Sequence, residues 1–178
     1  MRKIAAQSKE WIVNSFFDLL SVKPLDSITI SEITQNADLD RRTFYRHFKT
    51  KDDVIRYYIH KKAEQCAEAL RQINETIDIF TIAHIFYTAC NGMKHILQIL
   101  YRQNLMHIFY TEINILIPKY HYESPLHEIP PIKNYDYILA YTIGGLCNML
   151  TKWLVDDCMK TPAQMAEFVM QAYSTEFI

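Results

Sequence analysis

Apolar residues recur along this chain at the spacing of an α-helix. Residues 9–22 carry Ile12, Phe16, Leu19 and Leu20 on one face, one or two helical turns apart. The same periodicity continues towards the C-terminus, and no alternating run of apolar and polar residues indicates a strand. The sequence therefore predicts an all-α protein.

Two short helices joined by a tight turn are predicted between residues 29 and 51. Thr29 and Glu32 have the three-residue spacing of a capping box, which marks the start of the first short helix. Asp40 can cap the second, which is predicted over residues 41–48. A capped helix followed by a second, basic helix is typical of a helix-turn-helix, whose second helix enters the major groove of DNA.

Further helical segments follow, and a proline-rich loop of about fifteen residues is predicted over residues 119–133. Gly92 is predicted to end one helix in the left-handed conformation. Gly144 and Gly145 each cost a helix about 1 kcal/mol relative to Ala, which indicates a bend or a close approach of another helix. The predicted helices cover about 51–73, 77–90, 93–102, 103–119, 134–159 and 162–175.

The charge of the chain is segregated. The 178 residues carry a net charge of −1 and are 49% hydrophobic. Residues 41–62 contain eight basic side chains against two acidic ones, whereas residues 63–178 contain seven basic and twelve acidic ones. A basic patch ahead of an acidic remainder is typical of a DNA-reading domain joined to a domain with another task. A solvated helical face is the simpler explanation of such a patch when it stands alone.

Several other classes of protein are disfavoured. The four cysteines form no CxxC pair, and we expect no signal peptide, no membrane span and a cytoplasmic location. No nucleophile elbow, phosphate loop or HExxH motif indicates an enzyme, a catalytic residue or a cofactor. His121, Glu123, His127 and Glu128 lack the regular spacing of metal ligands, so no metal site is predicted.

The string TFYRHFKTK over residues 43–51, with TISEI over residues 29–33, resembles the TetR family of bacterial transcription regulators. The resemblance implies a three-helix DNA-binding domain with a helix-turn-helix over residues 1–60, the head. It also implies a helical-bundle domain for ligand binding and dimerisation over residues 61–178, the body. The family usually has Gly in the turn where this chain has Asp38, and Asp tolerates the left-handed conformation better than most residues.

The resemblance also implies roles in binding a pseudo-palindromic double-stranded operator. Arg41, Arg42, Thr43 and His47 match positions that face base edges, and Arg can bind guanine through two hydrogen bonds. Phosphate contacts, which fix register without reading sequence, match Thr29, Tyr45, Lys49 and Lys51.

The body is expected to supply an effector site and a dimer interface. Dense aromatic and sulfur side chains suit an apolar pocket, and ordinary core packing is the alternative; the candidates are Tyr87, Cys90, Met106, Phe109, Tyr110 and Tyr141. A homodimer seam resembling that of the family, with intrachain packing as the alternative, is predicted at Gly145, Leu146, Met149, Leu150, Trp153, Phe168, Val169 and Ala172.

The function implied is a transcription regulator, in the form of a repressor that releases its operator when a small molecule binds. The alternative is a helix-turn-helix coactivator or protein-interaction regulator that has no small-molecule inducer of its own.

Overall fold

The computed structural model of the chain describes residues 2–72, 78–123 and 133–174, and within these ranges it is entirely helical. The predicted fold class is confirmed. The helices are α1 Arg2–Val22, α2 Ile30–Asn36, α3 Arg41–His47, α4 Lys51–Arg71, α5 Ile79–Gly92, α6 Lys94–Arg102, α7 Met106–Glu123, α8 Tyr135–Val155 and α9 Pro162–Ser174, with a 3-10 turn at Leu25–Ser27.

The head is built from α1, α2, α3 and the first part of α4. Its centre is formed by Phe16, Ile33, Phe44 and Ile55, one from each helix, and all four are fully buried. Burying side chains of this size contributes about 1.5–3 kcal/mol each. The buried hydroxyl of Ser15 donates a hydrogen bond to the carbonyl of Ile33 across 2.7 Å, which fixes α2 against α1.

Capping interactions set the boundaries of the short helices. Thr29 and Glu32 form the predicted capping box at α2, and Thr50 forms another with Asp53 at α4. Each box satisfies backbone N–H groups that would otherwise lack a partner. Asp40 has the extended backbone of an N-cap at α3, but its side chain makes no capping hydrogen bond. The predicted helix start and N-cap position are correct there, but the capping hydrogen bond expected of Asp40 is not made.

The body consists of the second half of α4 and helices α5 to α9. α9 packs along α5, and α7 lies between α4 and α8. Tyr87 of α5 and Trp153 of α8 are fully buried and meet edge to face at 5.8 Å. The buried residues of head and body form one continuous hydrophobic cluster, so the predicted domain boundary falls within α4 and not at a polar linker.

Three sequence predictions need correction in the fold. Helix α1 begins seven residues earlier than predicted, and α7 continues to Glu123 with Pro118 inside it, so residues 119–123 are helical and not part of a loop. Gly92 ends α5 without a positive φ. Residues 124–132 of the predicted loop lie outside the described residues.

Helix α8 is long and apolar enough to cross a membrane by length and composition alone. Six of its side chains are buried in the body, and core helices that bury one face against their own domain pass the same test.

Of the cysteines, Cys90, Cys147 and Cys158 are buried. Burial raises the pKa of the Cys147 thiol to about 11, which agrees with a role in packing because the thiolate is the reactive form.

The turn between α2 and α3 generates a stability prediction. Asp38 adopts the left-handed conformation with φ of 53°, which glycine adopts without the steric cost of a Cβ atom. We expect Asp38→Gly to raise the free energy of unfolding by about 0.5–1 kcal/mol in urea titrations. Asn36→Gly, two residues earlier and inside α2, is the control and should lower it. A lower unfolding free energy for Asp38→Gly would contradict the assignment.

Candidate nucleic-acid interface

Helix α3 separates an apolar inner face from a basic outer face. Phe44 is fully buried in the head, and Phe48 follows it into the core at the end of the helix. These two aromatic anchors determine the rotation of α3. As a result the side chains left in solvent are Arg41, Arg42, Tyr45, Arg46 and Lys49.

Arg46 also belongs to this exposed face, although it is not among the residues predicted to contact DNA. It lies one helical turn after Arg42, and residues four apart on a helix are neighbours on its surface. The sequence already indicated this placement of Arg46. Arg42 and Arg46 have the same four-residue spacing as the buried pair Phe44 and Phe48, so the two arginines share one face of the helix as the two phenylalanines share another. Two guanidinium groups one turn apart suit the bidentate recognition of successive bases or phosphates.

His47 lies against α1. Its Nε2 is 2.9 Å from the hydroxyl of the buried Ser8. Burial, with smaller contributions from Arg46 and Lys9, lowers the pKa of the imidazole, which favours its neutral form. Base contact by His47 stays a prediction, but the structure shows this side chain bracing the end of α3.

Lys51 is anchored within the head. Its Nζ donates to the carbonyls of Leu25 and Ile28, at 2.5 and 2.9 Å. These carbonyls belong to the 3-10 turn and the residue that follows it. An ammonium group has three donors, so at most one is free for the predicted phosphate contact.

Thr29 is also engaged in the protein. Its hydroxyl accepts from the N–H of Glu32 and lies 2.9 Å from the carboxylate of the same residue. Lys23 donates to that carboxylate, and this hydrogen bond together with those from Thr29 lowers the pKa of Glu32 to about 2. The predicted phosphate contact of Thr29 is untested, and its hydroxyl stabilises the start of α2.

A network between α1 and α4 contacts Phe48, the residue that follows the recognition helix. The ammonium of Lys9 lies 3.7 Å from the centre of the Tyr57 ring, a cation–π contact. Glu10 accepts hydrogen bonds from Tyr57 at 2.9 Å and from Lys61 at 2.7 Å. Burial and the bond to Glu10 raise the pKa of Tyr57 to about 12, so the phenol stays protonated as the donor.

The residues predicted to bind an effector mostly pack in the core of the body. Tyr87 donates to the carbonyl of Leu146 across 3.1 Å, Tyr110 is hydrogen-bonded to Thr151, and Cys90, Met106 and Phe109 are buried. Tyr141 is 75% exposed, which corrects its placement among them. Two shallow surface clefts of about 370 and 360 Å³ lie elsewhere, one beside Tyr58 and His95 and the other beside Trp11 and Asp38.

The residues predicted for the dimer seam divide into two groups. Leu146, Leu150, Trp153 and Val169 are buried within the protomer, which corrects the predicted seam at these four positions because their side chains are not on the surface. Met149 is half-buried and packs against the same core. Gly145, Phe168 and Ala172 are exposed, as expected for a seam.

The exposed faces of α8 and α9 are unusually apolar. Tyr137 and Tyr141 are each 75% exposed, and smaller apolar exposure continues at Ile138, Val155, Phe168, Met170 and Tyr173. The two helices are linked by a hydrogen bond of 2.5 Å between Thr142 and Tyr173.

No atom of a neighbouring element in the described part of the chain lies within 4 Å of a Cβ placed on Gly144 or Gly145. The predicted close approach is therefore not made within the described protomer.

Comparison with known proteins identifies both parts of the chain. Residues 12–58 match the family of "Bacterial regulatory proteins, tetR family", and residues 76–174 match a family described as "Transcriptional regulator C-terminal region". No curated protein matches the chain.

Two solved structures share the fold at 15% sequence identity. One is the fatty acid degradation regulator FadR from Bacillus halodurans, with a TM-score of 0.58 over 92% of this chain and 93% of that one. The other is the dihydroxyacetone kinase operon activator DhaS, with a TM-score of 0.60 over 93% of each chain.

The different positions of Lys51 and Lys49 generate a test. Hydrogen bonds that involve a charged group contribute about 1.5–3 kcal/mol, so Lys51→Ala should lower the free energy of unfolding by roughly 1–2 kcal/mol. Lys49→Ala removes an exposed ammonium and should change it by less than about 0.5 kcal/mol. Urea titrations without DNA measure both, and equal effects of the two substitutions would contradict the assigned role of Lys51.

Proposed function

This chain belongs to the tetR family of bacterial regulatory proteins, and from that premise we propose that it acts as a homodimeric repressor of a pseudo-palindromic operator, released by a small molecule. The family assignment makes it a transcription regulator with a DNA-binding domain. The operator contacts, the dimer seam, the sign of regulation and the effector are proposals.

The outer face of α3 is the observation that carries the proposal. It presents Arg41, Arg42, Tyr45 and Arg46 to solvent on a helix anchored by two buried aromatic rings. Arg pairs with the O6 and N7 atoms of guanine, and each good bidentate pair contributes about 1–3 kcal/mol of discrimination. Tyr45 and Lys49 are suited to phosphate contacts that fix the register of the helix in the groove.

A homodimer supplies the second set of contacts. One head offers too few contacts for tight specific binding, whereas two heads read half-sites about one turn apart. We assign the seam to the exposed apolar face of α8 and α9, which includes Tyr137, Tyr141, Phe168 and Tyr173. Aromatic residues are enriched in such interfaces, and the open space at Gly145 allows a partner helix to approach closely.

Regulation would act through α4, which is shared by head and body. A small molecule releases the operator only if it binds one arrangement of the two heads more tightly than the other. The core around Tyr87 and Phe109 is closed by packing, so an effector would have to open it or use a surface cleft. The regulator is expected to act in the cytoplasm, where its operator is located.

A second candidate function is a helix-turn-helix regulator controlled by a protein partner or acting as a coactivator. The packing of the predicted effector residues into the core favours it, as does the similarity in fold to a protein described as an operon activator. Run-off transcription from the bound promoter, with and without candidate metabolites, separates the two candidates. Repression relieved by a metabolite supports the first, and stimulated transcription supports the second.

Selection of bound duplexes from a random library, followed by a gel shift with the region upstream of the gene, tests DNA binding. We expect Arg42→Ala to reduce discrimination against a mutated half-site base by about 1–3 kcal/mol. Lys49→Ala should weaken binding to all sequences and lower the salt slope by about 2, one unit for each head. Arg102→Ala, on the exposed surface of α6, is the control. Failure of the wild-type protein to enrich any duplex would refute the proposal.

The seam is tested by the mass in solution. The protomer of 21.1 kDa should sediment as a dimer at micromolar concentration. Tyr141→Glu places two like charges in the proposed seam and should weaken dimerisation at least about tenfold, because like-charge contacts across an interface are unfavourable. Tyr101→Glu, on α6 and also exposed, is the matched control. A monomeric wild-type protein, or a Tyr141→Glu variant that dimerises as strongly as the wild type, would contradict the assignment of the seam to α8 and α9.

A further inference from the structure

A buried carboxylate joins the body to the helix that carries the head. Among the side chains that the structure describes, Glu112 of α7 is the only charged one that is buried. One of its oxygens accepts from Nε of Arg56 at 3.1 Å, and the other lies 2.6 Å from Nε2 of His60. Arg56 and His60 are one turn apart on α4, so a single carboxylate holds α4 at two points.

The contact continues towards the DNA-binding end of the head. Arg56 also pairs with Asp53 at 3.5 Å. The other carboxylate oxygen of Asp53 accepts from the backbone N–H groups of Lys49 and Thr50, at 3.0 and 2.8 Å. These residues come two and three positions after the end of the recognition helix. A chain of polar contacts therefore runs from the body to the end of α3.

A second side chain of the body holds α1. The amide of Gln103 donates to the carbonyls of Leu20 and Lys23 at 3.1 and 3.2 Å. Leu20 lies in the last turn of α1 and Lys23 directly follows the helix, where backbone acceptors lack helical partners. Gln103 and Glu112 are nine residues apart in the segment that leads into and forms α7. This one segment contacts both long helices of the head.

We propose that Glu112 is a positioning residue for operator recognition, which sets the orientation of each head on the body through Arg56 and His60. Gln103 supports it by holding α1. Apolar packing between head and body is non-directional, whereas a charged hydrogen bond depends on distance and angle. Fixed head orientation would make the dimer selective for one spacing of half-sites. The inference rests on the proposed function.

The experiment measures how strongly binding depends on half-site spacing. The probes are the duplex that wild-type protein selects from a random library and four versions with one or two base pairs added or removed between the half-sites. Each base pair turns the next half-site by about 36° and moves it about 3.4 Å. Wild-type protein should lose about tenfold or more in affinity on the altered duplexes, because both heads cannot dock at once.

Glu112→Gln removes the charge while keeping the size of the side chain. We expect this variant to bind the selected duplex several-fold more weakly and to lose less than about threefold on the altered spacings, since its heads are free to adjust. Binding to a duplex with a single half-site should stay within about twofold of the wild type. Glu64→Gln, exposed on α4, has the same change of charge and should match the wild type throughout.

Two further comparisons keep the outcomes distinct. His60→Ala removes one of the two contacts of Glu112 with α4, made by a half-exposed side chain. It should broaden the spacing profile in the same direction as Glu112→Gln. This variant therefore tests the role of Glu112 even if Glu112→Gln does not fold. An unchanged spacing profile in the folded variants would overturn the role of Glu112 and leave the proposed function intact. Failure of the wild-type protein to select any duplex would refute the proposed function itself.

Discussion

Helix α4 belongs to the head and to the body at once, and the buried carboxylate of Glu112 fixes its position between them. The N-terminal half of α4 packs against α1, and its Val54 and Ile55 are buried. Its other face meets α7 through Arg56 and His60. A buried carboxylate is costly unless it is paired, so the charge of Glu112 favours arrangements that keep these contacts. Arg56 and His60 are half exposed, so solvent screening reduces the stabilisation that their contacts with Glu112 provide.

The basic residues of the recognition region are divided between two tasks. Arginines at the start and end of α3 point outward, where their planar guanidinium groups suit base edges and phosphates. Lys51 and His47 are turned inward and hold the 3-10 turn and α1. Lys51 and His47 thus help to hold in place the region that carries the outward arginines. A site is selective only when the elements that carry it are held in place.

Local sequence signals were sufficient for the short helices of the head and for the start of α4, but not for the start of α1. Capping boxes at Thr29 and Thr50, the left-handed turn at Asp38 and the Phe44–Phe48 spacing are all encoded within a few residues. The orientation of side chains on α3 was predictable only in part. Composition marks Lys51 and His47 as available to DNA, but their partners Leu25 and Ser8 are distant in sequence and become neighbours only in the fold.

The body was harder to predict for the same reason. An apolar helix such as α8 gives no indication in its sequence of which face its own chain covers. Trp153 and Leu150 were expected at a seam and lie in the core, whereas Tyr137 and Tyr141 are exposed. In the sequence, Glu112 is 56 positions from Arg56 and 52 positions from His60. No local pattern indicates these contacts.

Protection of guanine N7 from methylation on the selected duplex tests the central claim most directly, because N7 lies in the major groove. Two α3 helices presented by one dimer should protect two clusters of guanines about one helical turn, roughly 10 base pairs, apart. A single cluster, or a bound duplex whose guanines all stay reactive, would contradict recognition by a pair of α3 helices held in fixed orientation.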